Sequence, residues 1–260
     1  MRINRDVTPI AIFESAIIRL NDVAPVERTL YMRRKVQPGI DTLEMANYSL
    51  AEAVRYFHVP FSTVEYWTSE PNALVRLNSN HMLSFKNLVE FYVLEGLRHI
   101  HNLKTRAIRA AVEDLLQHEN SRHPLADYEL KTMNDKYLIF LKNGAIVNST
   151  LRGQYEIPEW TAAYLRRVDR DPSGLAQKIY PFTKKEQLKV DAEPPRTVLI
   201  DPNVCFGLPV LTGSRIKTGF LASRYRGGDS IPAIARSYDR PVGQIKEAIE
   251  WELGQEIKAA

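Results

Sequence analysis

Between Thr197 and Leu253 the sequence leaves a narrow choice of folds. A short apolar run, Val198-Leu199-Ile200, stops at Asp201-Pro202, the pattern of a strand ended by a turn. A turn-rich stretch follows, with Gly207, Pro209 and Gly213, and helical spacing over Thr218–Arg226 then ends at Gly227-Gly228. Asp229-Ser230 supplies an N-cap type, and Ile231, Ile234, Ala235 and Tyr238 recur at spacings of three and four, which predicts a second helix. Asp239-Arg240-Pro241 breaks the chain, and Pro241 suits the first turn of a third helix with the stripe Val242, Ile245, Ala248, Ile249,. Two short helices across a tight turn follow the helix-turn-helix plan, in which the second helix offers side chains to a major groove.

Charge agrees with that plan. From Gly213 to Lys246 there are seven basic residues (Arg215, Lys217, Arg224, Arg226, Arg236, Arg240 and Lys246) against two acidic ones, Asp229 and Asp239. Phosphate contact needs clustered positive charge of this kind. The sign then reverses at Glu247, Glu250, Glu252 and Glu256. An ordinary helical module with a solvated basic face is the competing reading of the same pattern.

The segments IDPNVCFGLPVLTGSRIKT and RGGDSIPAIARSYDRPVGQIKEAIEWE resemble a bacterial family of short winged-helix domains catalogued as a domain of unknown function. The family is associated with VapB-like antitoxins, whose partner is a PIN-like ribonuclease toxin. The resemblance covers about a fifth of the chain, and it, not spacing or charge, implies the antitoxin role.

Composition sets the outer bounds. At 260 residues the chain exceeds one small DNA-binding module, and two or three domains are expected. A hydrophobic share of 44% with 25% charged residues is that of an ordinary globular protein. The formal net charge is only +4, so partners must be read from local clusters. A single cysteine, Cys205, excludes an internal disulfide and points to a reducing cytoplasm. The polar start and the lack of any apolar run of about 20 residues predict neither a signal peptide nor a membrane span.

Tyr48–Trp67 is a second helix-turn-helix pattern. Ser49 and Glu52 form a capping box, Leu50, Ala53, Val54 and Phe57 a stripe, Val59-Pro60 a turn, and Val64 and Trp67 an inward pair,. It resembles the N-terminal reading head of MerR-like regulators, with Ser62, Thr63, Val64, Tyr66 and Trp67 on the matching positions of the second helix. Glu65 stands where that family carries arginine. A carboxylate there repels phosphate, or reads a cytosine amino group, or meets another partner. Tyr66 and Trp67 also suit simple core aromatics. Ser84–Asn120 reads as helix broken near His99–Thr105 and resembles the helix pair that follows such a head.

The rest of the chain carries no nameable chemistry. Residues 1–46 are read as an extension, packed on the next domain or partly disordered, with a dimerisation or DNA-backbone arm as the alternative. Tyr128–Val147 changes to a period of two with turns at Asn134-Asp135 and Asn143-Gly144, predicting short strands in a meander or hairpins. Glu156–Val168 is expected as a helix and Ala176–Phe182 as a strand. Thr183–Arg196 is polar, ends in Pro194-Pro195, and reads as a tether that leaves the C-terminal segment mobile. His99, His101, His118 and His123 are too poorly spaced to make a metal shell without cysteine or paired carboxylates, and no cofactor fingerprint is present.

These readings predict an α+β chain, mainly α, in which two helix-turn-helix or winged-helix domains flank a small α+β body. The expected division is 1–46, an extension; 47–122, the MerR-like unit with its helix pair; 123–182, the body; 183–196, the linker; and 197–260, the C-terminal reader. Promoter DNA contact is expected first at Arg236, Arg240, Val242, Gln244 and Lys246, then at Ser62, Thr63 and Tyr66. Gln244 suits adenine, and Arg240 suits guanine or phosphate. Arg215 and Lys217 suit a wing or the carboxylate ring of a PIN-like toxin. No catalytic residue, metal or cofactor is expected, and the chain is read as a cytoplasmic homodimer or a hetero-oligomer with its toxin. A stand-alone MerR-like regulator whose central block senses a ligand, and an interaction module with no DNA role, stay open beside the antitoxin.

Overall fold

The computed structural model describes residues 41–57, 59–71, 73–77, 81–98, 109–110, 112–113, 121–133, 137–142, 145–151, 164–183 and 195–254. Most of the extension, residues 1–40, therefore lies outside the described residues, as do His99, His101 and His118. Asp41–Ala260 forms one compact unit, of mixed helices and small sheets, consistent with the α+β expectation.

Two helices open it, α1 (Leu50–Phe57) and α2 (Phe61–Thr68). The capping box forms as spelled. The Glu52 carboxylate accepts from the Ser49 amide at 2.7 Å and from its hydroxyl at 2.8 Å, and Ser49 Oγ accepts from the Glu52 amide at 3.3 Å. Ala53, Phe57, Val64 and Trp67 are buried, with Leu50 and Val54 packed at the edge of the core. Trp67 is therefore the core aromatic, its ring 5.9 Å from Phe91. Tyr56, outside the expected stripe, is also buried.

The long helix α3 (Phe85–Arg98) starts at a second reciprocal cap. Asn87 Oδ1 accepts from the Ser84 amide and Ser84 Oγ accepts from the Asn87 amide. Phe85, Leu88, Val89, Phe91, Val93, Leu94 and Leu97 are all buried, so α3 is covered on most sides, as its broad apolar face demands. Gly96 has a reason to lack a side chain: a Cβ there would stand 2.7 Å from Tyr164, whose ring stacks on Tyr92 at 4.3 Å.

His123 belongs to this core. Its Nδ1 lies 3.0 Å from the Glu90 carboxylate and its Nε2 3.2 Å from Glu44. Asn87 donates to Glu90, and Lys86 bridges Glu44 and Asp127. Among the described residues no metal-binding group of His, Cys, Asp or Glu forms. Burial pulls the His123 pKa down, but the hydrogen bond to Glu90 and the charges of Glu90 and Glu44 outweigh burial and hold it above its ordinary value; Lys86 opposes them. Burial likewise raises Glu90. Both folded values lie above the unfolded ones. The His123 contribution is thus complete below about pH 6.5, the ordinary histidine value, and is lost as pH climbs through its raised folded value, whereas the Glu90 contribution is complete only below the ordinary carboxylate value and is lost as pH climbs through its own raised value,. Denaturant unfolding of the wild type and of His123→Gln, compared from pH 6 to pH 9, is expected to show a stability gap that narrows with rising pH. A gap that stays constant would mean the pair is not held as an ion pair.

The body follows α4 (Pro124–Asp127). Strands β1 (Glu129–Met133), β2 (Tyr137–Lys142) and β3 (Ala145–Leu151) make an antiparallel meander in the order β1-β2-β3, with Leu130 opposite Phe140 and Lys142 opposite Ala145. The expected turns at Asn134-Asp135 and Asn143-Gly144 lie outside the described residues. Strands β4 (Val168–Arg170) and β5 (Ala176–Ile179) form a separate hairpin. The expected helix to Val168 therefore ends early, because Val168 pairs with Ile179 as a strand residue. Residues 152–163 lie outside the described residues.

Strands β6 (Val198–Leu199) and β7 (Val210–Leu211) pair antiparallel, and Ile200 bridges to Ile179. Then come α5 (Thr218–Arg226), α6 (Ile231–Tyr238) and α7 (Val242–Leu253). This segment is docked rather than loose. Tyr56 of α1 stacks on Trp251 of α7, with centroids 5.5 Å apart and planes 16° apart. The buried Glu252 carboxylate receives Arg55 at 3.3 Å and the Thr218 hydroxyl at 2.6 Å. Tyr48 donates to the Gly207 carbonyl at 3.0 Å. Gly207 sits at φ +79°, and a Cβ there would fall 1.9 Å from the Tyr48 hydroxyl oxygen, so only glycine fits both the turn and the approach. Glu250 and Glu252, where the charge of the segment reverses sign, are buried.

Candidate nucleic-acid interface

The candidate interface is built on α6, α7 and the turn between them. Ser230 caps α6 by accepting from the Ala233 amide at 3.3 Å. The helix ends at Asp239, which takes the left-handed conformation at φ 50°, and the Arg240 amide closes the turn on the Ala235 carbonyl at 3.1 Å. Left-handed backbone costs an L-residue about 1–2 kcal/mol, less for Asp and Asn, whose short polar side chains tolerate it. Pro241 precedes α7, one position earlier than a first-turn residue, and gives no side-chain cap. The amides of the exposed Val242 and Gly243 are thus left to water or an anion.

Exposure along α7 is uneven. Ile245, Ala248 and Ile249 are fully buried, followed by Glu250, Trp251 and Glu252. Val242, counted in the apolar stripe, is instead 49% exposed. Only the first turn of α7 can meet a groove, which is the end a recognition helix uses for base contact.

The expected contact residues fall as follows. Arg236 is exposed in the last turn of α6, and Gln244 is half-buried. Arg240 is half-buried and donates to the Gly213 carbonyl at 3.3 Å. Lys246 lies 3.6 Å from Glu250, one turn on. The Arg240 contact brings in the β7 hairpin, where the Leu211 amide donates to Ile216 and Val210 bridges to Lys217. Its tip turns at Gly213, φ +71°. Arg215 and Lys217 on this hairpin are exposed. The structure therefore sets the hairpin turn beside the helix turn, so that Arg215 and Arg240 flank one corner. Arg224 is engaged elsewhere: it pairs with Asp229 at 2.6 Å and reaches Ser237 at 2.7 Å, which locks α5 to α6.

On α2, Ser62 and Tyr66 are exposed and Thr63 is half-buried. The Tyr66 ring is 53% exposed, with the Arg109 guanidinium 5.6 Å from its centre. Phe61, Ser62, Glu65, Tyr66 and Ser69 share the outer face, and α2 itself carries no Lys or Arg. This set lies on a different element from α6 and α7, and the traced contact between the two helix pairs runs through α1 and the C-terminal half of α7. Sequence reading passed over one exposed side chain of α5, Phe220, and named the exposed Arg226 only as one of the basic cluster. The signal was there, since Phe220 sits off the apolar stripe of Leu221, Ala222 and Tyr225.

Comparison with known proteins bears on the C-terminal segment and on most of the chain. Residues 198–251, the segment from β6 into α7, match the family described as "Protein of unknown function (DUF433)". Over 233 residues the chain is 25% identical to the "Putative antitoxin VapB45" of Mycobacterium tuberculosis, covering 78% of this chain and 92% of that protein. The fold is similar to the crystal structure of RV2018 from Mycobacterium tuberculosis, at a TM-score of 0.55 and 20% identity over 80% of this chain and 98% of that one. The architecture is thus one already seen in a solved protein, and the sequence likeness to an antitoxin-named relative extends well beyond the C-terminal segment.

Proposed function

We propose that the chain is an antitoxin that binds and neutralises a PIN-like ribonuclease toxin and represses its own operon by binding promoter DNA. The observation that carries this reading is the likeness to an antitoxin-named protein across 233 residues, a span too long for the C-terminal segment alone. The exposed helix turn supports the DNA half. Residues 197–260 act as the reader, with Arg236, Arg240 and Lys246 toward phosphate and guanine, and Val242 and Gln244 toward the groove floor. Ser62, Thr63 and Tyr66 form a second contact without cations of their own helix. Arg215 and Lys217 face the toxin. The repressor acts as a homodimer or in a hetero-oligomer with toxin, because two half-sites multiply the affinity of one short reader. No helix among the described residues is long and apolar enough to cross a membrane.

Co-expression with the protein encoded by the adjoining gene, followed by size exclusion and a ribonuclease assay, tests the reading. The expected result is a stable complex with suppressed nuclease activity. Two separate proteins, or a neighbour with no nuclease activity, would defeat it.

A further inference from the structure

One large ring on α5 points away from the core. The helix buries Thr218, Leu221 and Ala222, yet Phe220 is 55% exposed. Lys217, just before the helix, and Arg224 stand three residues before and four after Phe220, so all three lie along one row. Gly219, Ser223 and Arg226 flank the ring on its other side and are exposed. No acidic residue occurs between Arg215 and Gly228. Arg224 is held by Asp229 and Ser237, whereas Lys217 and Arg226 make no ion pair among the described residues. The cationic edge continues without a break into the β7 hairpin, because Lys217 is the residue that bridges to Val210.

An exposed phenyl ring gains nothing from a phosphate backbone, and duplex DNA offers it no apolar partner outside the groove. A second copy of the chain would bring a like-charged face to this one, which costs rather than stabilises. An aromatic anchor inside a cationic margin suits a protein surface with an apolar pocket bounded by carboxylates. We propose that this face of α5, with Phe220 as anchor and Lys217 and Arg226 as its charged margin, is where the chain receives an acidic protein partner. The proposal rests on the antitoxin reading and extends the Arg215–Lys217 surface to a residue that seats in the toxin. It also assigns the two jobs to different helices: α6 and α7 read DNA, while α5 holds the toxin.

The test uses the full chain with the purified product of the adjoining gene as probe. Affinity is measured by calorimetry for wild type, Phe220→Ala, Phe220→Glu and Arg226→Glu. Phe220→Glu is expected to weaken the complex on the order of 30-fold or more, with Phe220→Ala and Arg226→Glu between it and wild type. Phe220→Glu is expected to keep the wild-type melting temperature and promoter-duplex affinity. Partner affinity within twofold of wild type in Phe220→Glu and Arg226→Glu would overturn the proposal. So would a changed oligomeric state of the lone Phe220→Glu chain with partner binding kept, which marks a self-interface. Loss of duplex binding with partner binding kept would also overturn it, since it marks a nucleic-acid face. If the wild-type chain itself fails to bind the neighbour, the antitoxin reading falls first and this surface falls with it.

Discussion

Trp251→Ala is expected to cost about 3–5 kcal/mol of unfolding free energy, the range for removing a buried large aromatic from a packed core. Trp251 is 1% exposed and its ring lies flat on Tyr56, a pairing worth about 0.5–1.5 kcal/mol beyond area burial. The cost should exceed that of an average core truncation, because Trp251 also seats α7 on α1 next to the Arg55–Glu252–Thr218 contacts. Trp251→Phe gives a sharper test. The indole Nε1 is buried with no acceptor among the described residues, and an unpaired buried donor costs about 1–3 kcal/mol. Replacing indole by phenyl removes that donor along with some contact area, so the two effects offset, and a net change within about 1.5 kcal/mol is expected, as for other near-isosteric core swaps. Urea unfolding of both variants beside Tyr56→Ala decides the matter. A loss under about 1 kcal/mol for Trp251→Ala would mean that the C-terminal segment does not depend on the first helix pair. Tyr56→Ala and the double variant should show strong non-additivity, since they remove one shared contact.

What the sequence made legible was local. The Ser49–Glu52 box, the Ser230 cap, the stripes Ile234-Ala235 and Ile245-Ala248-Ile249, and the period-two strands of the meander are each set by residues within a few positions of one another. Period and cap chemistry carry that information directly. What was not legible depends on contacts between distant residues. Nothing near Glu252 announces that its carboxylate will be buried against Arg55 and Thr218, both far from it in the chain. The polar run Thr183–Arg196 reads as a tether, and its composition cannot show that Tyr48 and Gly207, 159 residues apart, are hydrogen-bonded. Val168 was assigned to a helix from the apolar spacing before it, yet its pairing with Ile179 decides the local structure. For the candidate interface, spacing located the helix turn, but only the fold shows that Arg224 is engaged by Asp229 and that the hairpin carrying Arg215 stands beside Arg240.

Arg236→Glu combined with Arg240→Glu is expected to lower affinity for a duplex of the chain's own promoter by at least about 100-fold at physiological salt, since each contact to phosphate or guanine contributes about 1–3 kcal/mol and reversal adds repulsion. The fold should survive. Arg236 is exposed, and the Arg240 side chain donates to the Gly213 carbonyl on the hairpin tip. The salt dependence separates mechanism from damage. Removing two phosphate-facing cations should lower the slope of log affinity against log salt by about two, one for each counterion no longer released. Gln244→Ala should behave differently. A half-buried amide at the first turn of α7 can read a base edge but neutralises no phosphate, so its loss should relax sequence preference and leave the slope unchanged. Ser62→Ala with Tyr66→Ala should have the smaller effect, because α2 brings no cation to that face. Wild-type affinity and slope in the Arg236/Arg240 variant, with loss in the α2 variant, would reverse the assignment and make the first helix pair the reader. The same measurement thus decides which of the two helix pairs touches DNA, a choice that turns on Glu65: a carboxylate centred on the outer face of α2 would repel the polymer that Arg236 and Arg240 are expected to attract.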